Sequence, residues 1–171
     1  MYKKTFTLVE TIIVIVVLGI IAGVGTASML GAADALAFLT VRADMDQSAD
    51  VVMSRMLTEM RRLKDDLSVH GDTNLTQFRF TDIDDRDINY YLSGNSLMRN
   101  TDILADDVDS ITFTYYDDNG NILNPPAVGI GTLTDIRRIQ INLVLQKGTY
   151  ILSYESEVRP RNLKHIAYKF K

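Results

Sequence analysis

The sequence contains no cysteine, which excludes a disulfide framework, a thiol nucleophile and a thiolate metal site. It has two histidines, His70 and His165, far apart and outside any ligand motif, so a polar-loop His70 reads as a solvated side chain. Basic excess is also missing. A net charge of −4 and a pI near 5.1 argue against a nucleic-acid partner, for which a basic domain is the usual footprint. No G-x-S-x-G elbow occurs, and Gly129-Ile130-Gly131-Thr132 lacks the last glycine of a dinucleotide fingerprint. Paired carboxylates are common (Asp65-Asp66, Asp84-Asp85, Asp106-Asp107, Asp117-Asp118), but no oriented nucleophile or base accompanies them. They read as solvating charge. An enzyme is not expected, and no cofactor is implied. No proline falls within residues 6–67, so nothing there obliges a helix to break.

What is present is uneven. Lys3 and Lys4 precede a stretch whose only charge before Asp34 is Glu10, and from Thr11 to Ala33 no residue is charged. About 20 apolar residues span a bilayer as a helix, so this stretch suffices. The basic pair on one side and the acidic residues from Asp34 onward place the amino end in the cytoplasm and the rest outside. A cleaved signal peptide would use the same lysines, with small-residue sites at Ala33-Asp34-Ala35 and Ala35-Leu36-Ala37. The length of the apolar run and the position of Glu10 count against that reading. A carboxylate at the edge of a spanning helix costs about 2–3 kcal/mol and is a functional hypothesis by default. The competing reading is an interfacial acid that snorkels to the headgroups.

Phe6-Thr7-Leu8-Val9-Glu10, followed by an apolar helix, resembles the prepilin signature F-T-L-[IV]-E of the type IV pilin superfamily. The resemblance covers residues 3–30. It implies that a membrane prepilin peptidase cuts between Thr5 and Phe6 and methylates the new Phe6 amine, and that Glu10 sets subunit registry during assembly. The physical sense is clear: the Phe6 ammonium of one subunit neutralises the Glu10 carboxylate of a neighbour where an unpaired charge is costly. The family normally has glycine where this chain has Thr5, and a β-branched residue fits an extended peptidase site less easily. Gly19 and Gly23 make a GxxxG spacing that permits close helix packing; incidental small residues give the same pattern.

Beyond the apolar run, Met45, Ala49, Val52, Met56, Met60, Leu63 and Leu67 recur at threes and fours, with Asp46, Gln47, Arg55, Glu59, Arg62 and Asp66 facing away. This predicts an amphipathic helix. The repeated methionines, Met53 included, read as core packing. After His70-Gly71-Asp72 the period becomes two. Phe78–Phe80, Ile88–Leu92 with Leu97-Met98 across Ser93-Gly94-Asn95, Ile111–Tyr116, Ile139–Leu145 and Tyr150–Val158 read as strands, with Pro125-Pro126 in a loop. The expected fold class is α+β: a long N-terminal helix, membrane-spanning first and amphipathic second, packed on a mainly antiparallel pilin-like sheet head. The expected organisation is a leader over 1–5, a transmembrane and assembly helix over 6–33, an extracytoplasmic amphipathic helix over 34–69 and a β-rich head over 70–171.

Two head segments admit more than one use. Asp117, Asn119 and Asn121 around Gly120 resemble the opening of a calcium loop, but Val128 stands where the bidentate acid belongs, and an Asn-Gly turn explains the same residues. The tail from Arg159 to Lys171 carries basic residues and no acid, suiting either an acidic neighbour, lipid headgroups or plain solvation. The paired strands, Tyr115–Gly120 and Arg159–Leu163 resemble J-type pseudopilins and W-type minor pilins. That resemblance implies a subunit that initiates or caps a filament, single-pass in the inner membrane with its head outside and later at the filament tip. Its implied partners are other minor and major pilins or pseudopilins, the prepilin peptidase, the assembly platform and the bilayer. The alternative is a membrane-tethered or secreted extracytoplasmic binding protein.

Overall fold

A threonine begins the first helix. In the computed structural model, which describes residues 7–65, 67–123 and 135–163, Thr7 Oγ1 accepts the Glu10 backbone N–H at 3.3 Å. That is the N-cap bond that satisfies one of the orphan donors of a first turn. Helix α1 (Leu8–Met60) follows. Lys3, Lys4, Thr5, Phe6, Asp66, Pro125, Pro126, Val128, Gly129–Thr132, His165 and the tail beyond Leu163 lie outside the described residues. The chain divides into two units, Met1–Ala43 and Asp44–Lys171.

In the first unit the large apolar residues of α1 are exposed from Leu8 at 79% through Ile12, Val16 and Ile20 to Leu39 at 57%, and only Val41, next to the second unit in sequence, is half-buried. The most apolar window has a mean hydropathy of 2.6 and buries nothing within the chain. This helix is long and apolar enough to cross a membrane. Its hydroxyls bond backward along it: Thr26 Oγ1 donates to the Ala22 carbonyl at 2.9 Å and Ser28 Oγ to that of Val24 at 3.0 Å. In lipid, where no water is available, such internal satisfaction is what a polar side chain requires.

In the second unit the remainder of α1 turns one stripe inward. Met45, Ala49, Val52, Met53, Met56 and Met60 are all buried, each methionine contributing about 1.5–3 kcal/mol of burial. The helix stops at Met60, short of the expected 69. Its last bonds tighten to three-residue spacing, Arg62 N–H to Glu59 and Leu63 N–H to Met60. Leu63 still enters the core, but Leu67 is 74% exposed. The reason is local: the Asp65 carboxylate accepts the Leu67 N–H at 3.0 Å and the Ser68 hydroxyl, a turn that competes with helix. Isolated bridges Leu63↔Asp82 and Val69↔Phe80 then lay this segment along the sheet.

Two four-stranded antiparallel sheets complete the unit, where the sequence suggested one. In the first, β1 (Gln77–Thr81), β2 (Asp87–Ser93), β3 (Ser96–Arg99) and β4 (Asp102–Ala105) lie in chain order. The β2–β3 hairpin closes with Ser93 opposite Ser96, and Gly94 takes φ +61 there, a conformation that suits glycine. The second sheet runs β6-β5-β7-β8, built from β5 (Val108–Tyr116), β6 (Ile122–Leu123), β7 (Arg138–Lys147) and β8 (Tyr150–Val158). Alternation is strict in β7, where Ile139, Ile141, Leu143 and Leu145 are buried. An aromatic group joins the sheets: Phe78 lies 5.0 Å from Phe80, 5.7 Å from Phe113 and 5.9 Å from Tyr115 between ring centroids. The arrangement is α+β.

Candidate functional site

Glu10 stands in the first turn of α1, at the third position after the cap residue Thr7. Thr-x-x-Glu is also the capping-box spacing, and a carboxylate in a first turn interacts favourably with the helix dipole. Glu10 therefore has a local reason to be there that the sequence reading did not consider. It is also exposed, and is the only charged residue of the described helix before Asp34. Gly19 and Gly23 lie on the same uncovered helix, and a Cβ built on either meets nothing within 4 Å. Among the described residues no packing calls for glycine at these positions. Their spacing leaves a surface on which another helix can approach closely.

The calcium candidate is a self-satisfied turn. Asp117 Oδ1 accepts the backbone N–H groups of Asn119 at 2.9 Å and Asn121 at 2.8 Å, while Oδ2 accepts the Asn121 side-chain amide at 2.8 Å. Gly120 takes φ +83 and its N–H returns to the Asp117 carbonyl. The Asn121 amide, reinforced by these backbone donors, holds the Asp117 carboxyl below its usual range. A cation would have to displace bonds that shape the β5–β6 connection. Among the described residues no group of three or more histidine or acidic side chains is placed to hold a metal.

The paired carboxylates are less idle than their sequence suggested. Arg62 pairs with Asp84 and Lys64 with Asp85, tying the segment after α1 to the β1–β2 connection. Asp82 in that connection is 1% exposed. Its carboxylate accepts the N–H groups of Asp84 and Arg86 at 2.9 and 3.0 Å and the Arg86 guanidinium at 2.9 Å. His70 is not simply solvated: Nε2 lies 3.0 Å from Thr81 Oγ1 and 3.8 Å from Asp87. The start of the basic tail is anchored too. Leu163 is buried, and the Asn162 amide donates to the Leu63 carbonyl at 3.1 Å.

One polar group was not anticipated from the sequence. Glu59, near the end of α1, accepts two bonds from Arg99 Nε, at 2.8 and 3.1 Å, and one from the Tyr90 hydroxyl. The Glu59 and Arg99 side chains are 17% and 15% exposed. Burial alone would raise the Glu59 carboxyl; the Arg99 and Tyr90 hydrogen bonds and the Arg99 charge outweigh it and leave it lowered. The same environment, burial first and Glu59 second, pushes the Tyr90 hydroxyl up. The group ties the helix to β2 and β3. The Arg55 side chain, one turn back along α1, donates a further bond to Glu59 at 3.3 Å. Compared with known proteins, the chain matches no protein-family model and no curated sequence.

Proposed function

We propose that this chain is a minor type IV pilin or type II secretion pseudopilin, a membrane-anchored structural subunit that initiates or caps a filament. The observation that supports it most is Glu10: one carboxylate at the head of a stretch of helix that has no other charge before Asp34 and whose large apolar side chains, from Leu8 to Leu39, are exposed. An isolated apolar helix of this kind needs lipid or other helices around it. Its sequence context, Phe6-Thr7-Leu8-Val9-Glu10, is the prepilin pattern. In this reading Lys3 and Lys4 hold the amino end in the cytoplasm and the head is exported. Prepilin peptidase removes Met1–Thr5, and the Phe6 ammonium of one subunit meets the Glu10 carboxylate of another. The surface around Gly19 and Gly23 admits neighbouring helices. The head, with its polar groups engaged in turns and ion pairs, serves as a contact surface rather than a catalyst.

A substitution series at Glu10 separates charge from cap. Glu10→Gln retains a capping-box partner but removes the charge, Glu10→Leu removes both, and Glu10→Asp keeps the charge on a shorter arm. The measurement is the fraction of processed protein recovered with sheared filaments or crosslinked to partner pilins, against the fraction retained in membranes. Gln and Leu variants are expected to insert and be processed yet fail to assemble, with Asp intermediate. Normal assembly of Gln with failure of Leu assigns Glu10 to helix capping. Normal assembly of Leu refutes the registry role.

A further inference from the structure

Strand β8 is an edge of the second sheet. It pairs with β7 from Lys147 opposite Tyr150 to Ile139 opposite Val158. Gln146, opposite Ile151, sends its backbone N–H away from β8, to the Asp107 carbonyl at 2.8 Å. Antiparallel pairs alternate in their bonding, so Ile151, Ser153, Glu155 and Glu157 turn their N–H and C=O groups to the outer edge. Among the described residues no backbone group meets them there. A long edge of this kind is a template for another strand.

The face that β8 turns to the core is also unfinished. Leu143 and Leu145 of β7 are fully buried, whereas their partners Tyr154 and Leu152 are half-buried. Beside them a groove of about 610 Å³ is lined by Met53 and Leu57 of α1 and by Ser153–Ser156 of β8. Its charged side chains are Asp50 and Glu155 against Arg61. Glu155 accepts the Gln140 amide at 2.5 Å and has no ion pair among the described residues, while Glu157 is engaged by Arg138 and Arg159.

The chain itself carries a segment that matches this edge in position, length and pattern. After β8 the backbone turns at Arg161-Asn162, and the Asn162 amide donates to the Leu63 carbonyl at 3.1 Å. Leu63 lies two residues past Arg61, so Leu163 is held at the Arg61 end of the groove. In residues 164–171, Ile166, Tyr168 and Phe170 alternate with Ala167, Lys169 and Lys171, and no acid occurs. That is the period of a strand with one buried face. Extended, the segment reaches about 26 Å, and Ile151 to Glu157 spans about 20 Å, at 3.3 Å per residue.

We propose that residues 164–171 add to β8 of the same copy as a further antiparallel strand, with Ile166, Tyr168 and Phe170 entering the groove over Met53 and Leu57. Strand parity then puts Lys169 and Lys171 in the outward row with Ser153 and Glu155, beside the carboxylate that lacks an ion pair. The closed edge keeps the head from pairing with strands of other chains. The contact lies within one head and is independent of Glu10.

The absence of native cysteine makes the test direct. Ser153→Cys in the full-length chain is combined in turn with Ala167→Cys, Tyr168→Cys, Lys169→Cys, Phe170→Cys and Lys171→Cys, then oxidised in dilute detergent micelles. A disulfide within the chain is expected at an odd-numbered partner and not at Tyr168 or Phe170, because only same-face opposites bring Cβ atoms to about 4.5–5.5 Å. Hydrogen exchange gives a second readout. The Ser153, Glu155 and Glu157 amides should be protected in the full-length chain and exchange freely once it is shortened to Leu163, with near-UV circular dichroism confirming a folded head. Disulfides at odd and even positions alike, or at none, overturn the proposal. So do amides unprotected in the full-length chain, or still protected without the segment. Disulfides between copies in place of within one overturn it too, and assign the segment to a neighbour. The disulfide pattern needs no shortened chain and decides alone if that chain fails to fold.

Discussion

Replacing Glu59 with alanine strands the buried Tyr90 hydroxyl and the half-buried Arg99 guanidinium at once. Arg99 loses the acceptor of its two Nε bonds and the Tyr90 hydroxyl loses its carboxylate, and both belong to the sheet that α1 covers. Removing one member of a fully buried ion pair costs about 3–5 kcal/mol, whereas an exposed pair is worth about 0–1 kcal/mol. At 15–17% side-chain exposure the expected loss is nearer the buried limit, about 3 kcal/mol. The Arg55 contact, 46% exposed and one helical turn away, adds only a few tenths. For a unit of this size that is roughly 10 °C in Tm. The assay is thermal unfolding of the full chain in detergent micelles followed by near-UV circular dichroism, because tyrosine signals report the head while the exposed apolar helix dominates far-UV signals. Arg99→Ala should cost a similar amount. The double variant should lose much less than the sum, since neither charge is then left unpaired. A Glu59→Ala variant within about 0.5 kcal/mol of the parent, the range of neutral surface changes, would refute the reasoning.

Acid should unfold the head through the same groups. Glu59, Asp82 and Asp87 have lowered folded-state values against ordinary ones of 4.5 and 3.8. Their contribution is therefore complete above the ordinary values and lost as pH falls through the lower folded ones. A Tm that is flat near neutrality and drops below about pH 4 is expected, and a Tm independent of pH down to 2 would contradict it. Thr5→Gly should speed removal of Met1–Thr5 by a co-expressed prepilin peptidase, read by mass spectrometry of the amino terminus. Equal rates, or a terminus beyond Ala35, would speak against prepilin processing. Deleting residues 1–33 should leave a soluble, folded head, because the stripe from Met45 to Met60 is already covered within the second unit. Aggregation of that fragment would show that the stripe needs other subunits.

Much of this chain was legible because one-dimensional patterns suffice for it. An apolar run without charge specifies a helix that must be surrounded by something other than water, whatever follows it. The alternation in β7 specifies a strand with one buried face, and Ser93-Gly94-Asn95 specifies the turn that Gly94 makes at φ +61. The stripe from Met45 to Met60 needed only helical spacing. Its continuation failed at Leu67, because a spacing of three and four persists across a chain that has left the helix, and the stop depends on Asp65 capturing Leu67 and Ser68. Strand β4 was missed for a related reason: Asn100 holds its turn at φ +55 by bonding Asn89 and Asp87 across the sheet. Thr7 and Glu10 were adjacent enough for their capping relation to be read in advance, through the Thr-x-x-Glu spacing. The division into two sheets and the Glu59–Arg99–Tyr90 tie, whose partners lie 31 and 40 positions from Glu59, join residues distant in the chain. Such pairings follow from strand order and register, which local periodicity does not encode, and only the tertiary structure decided them.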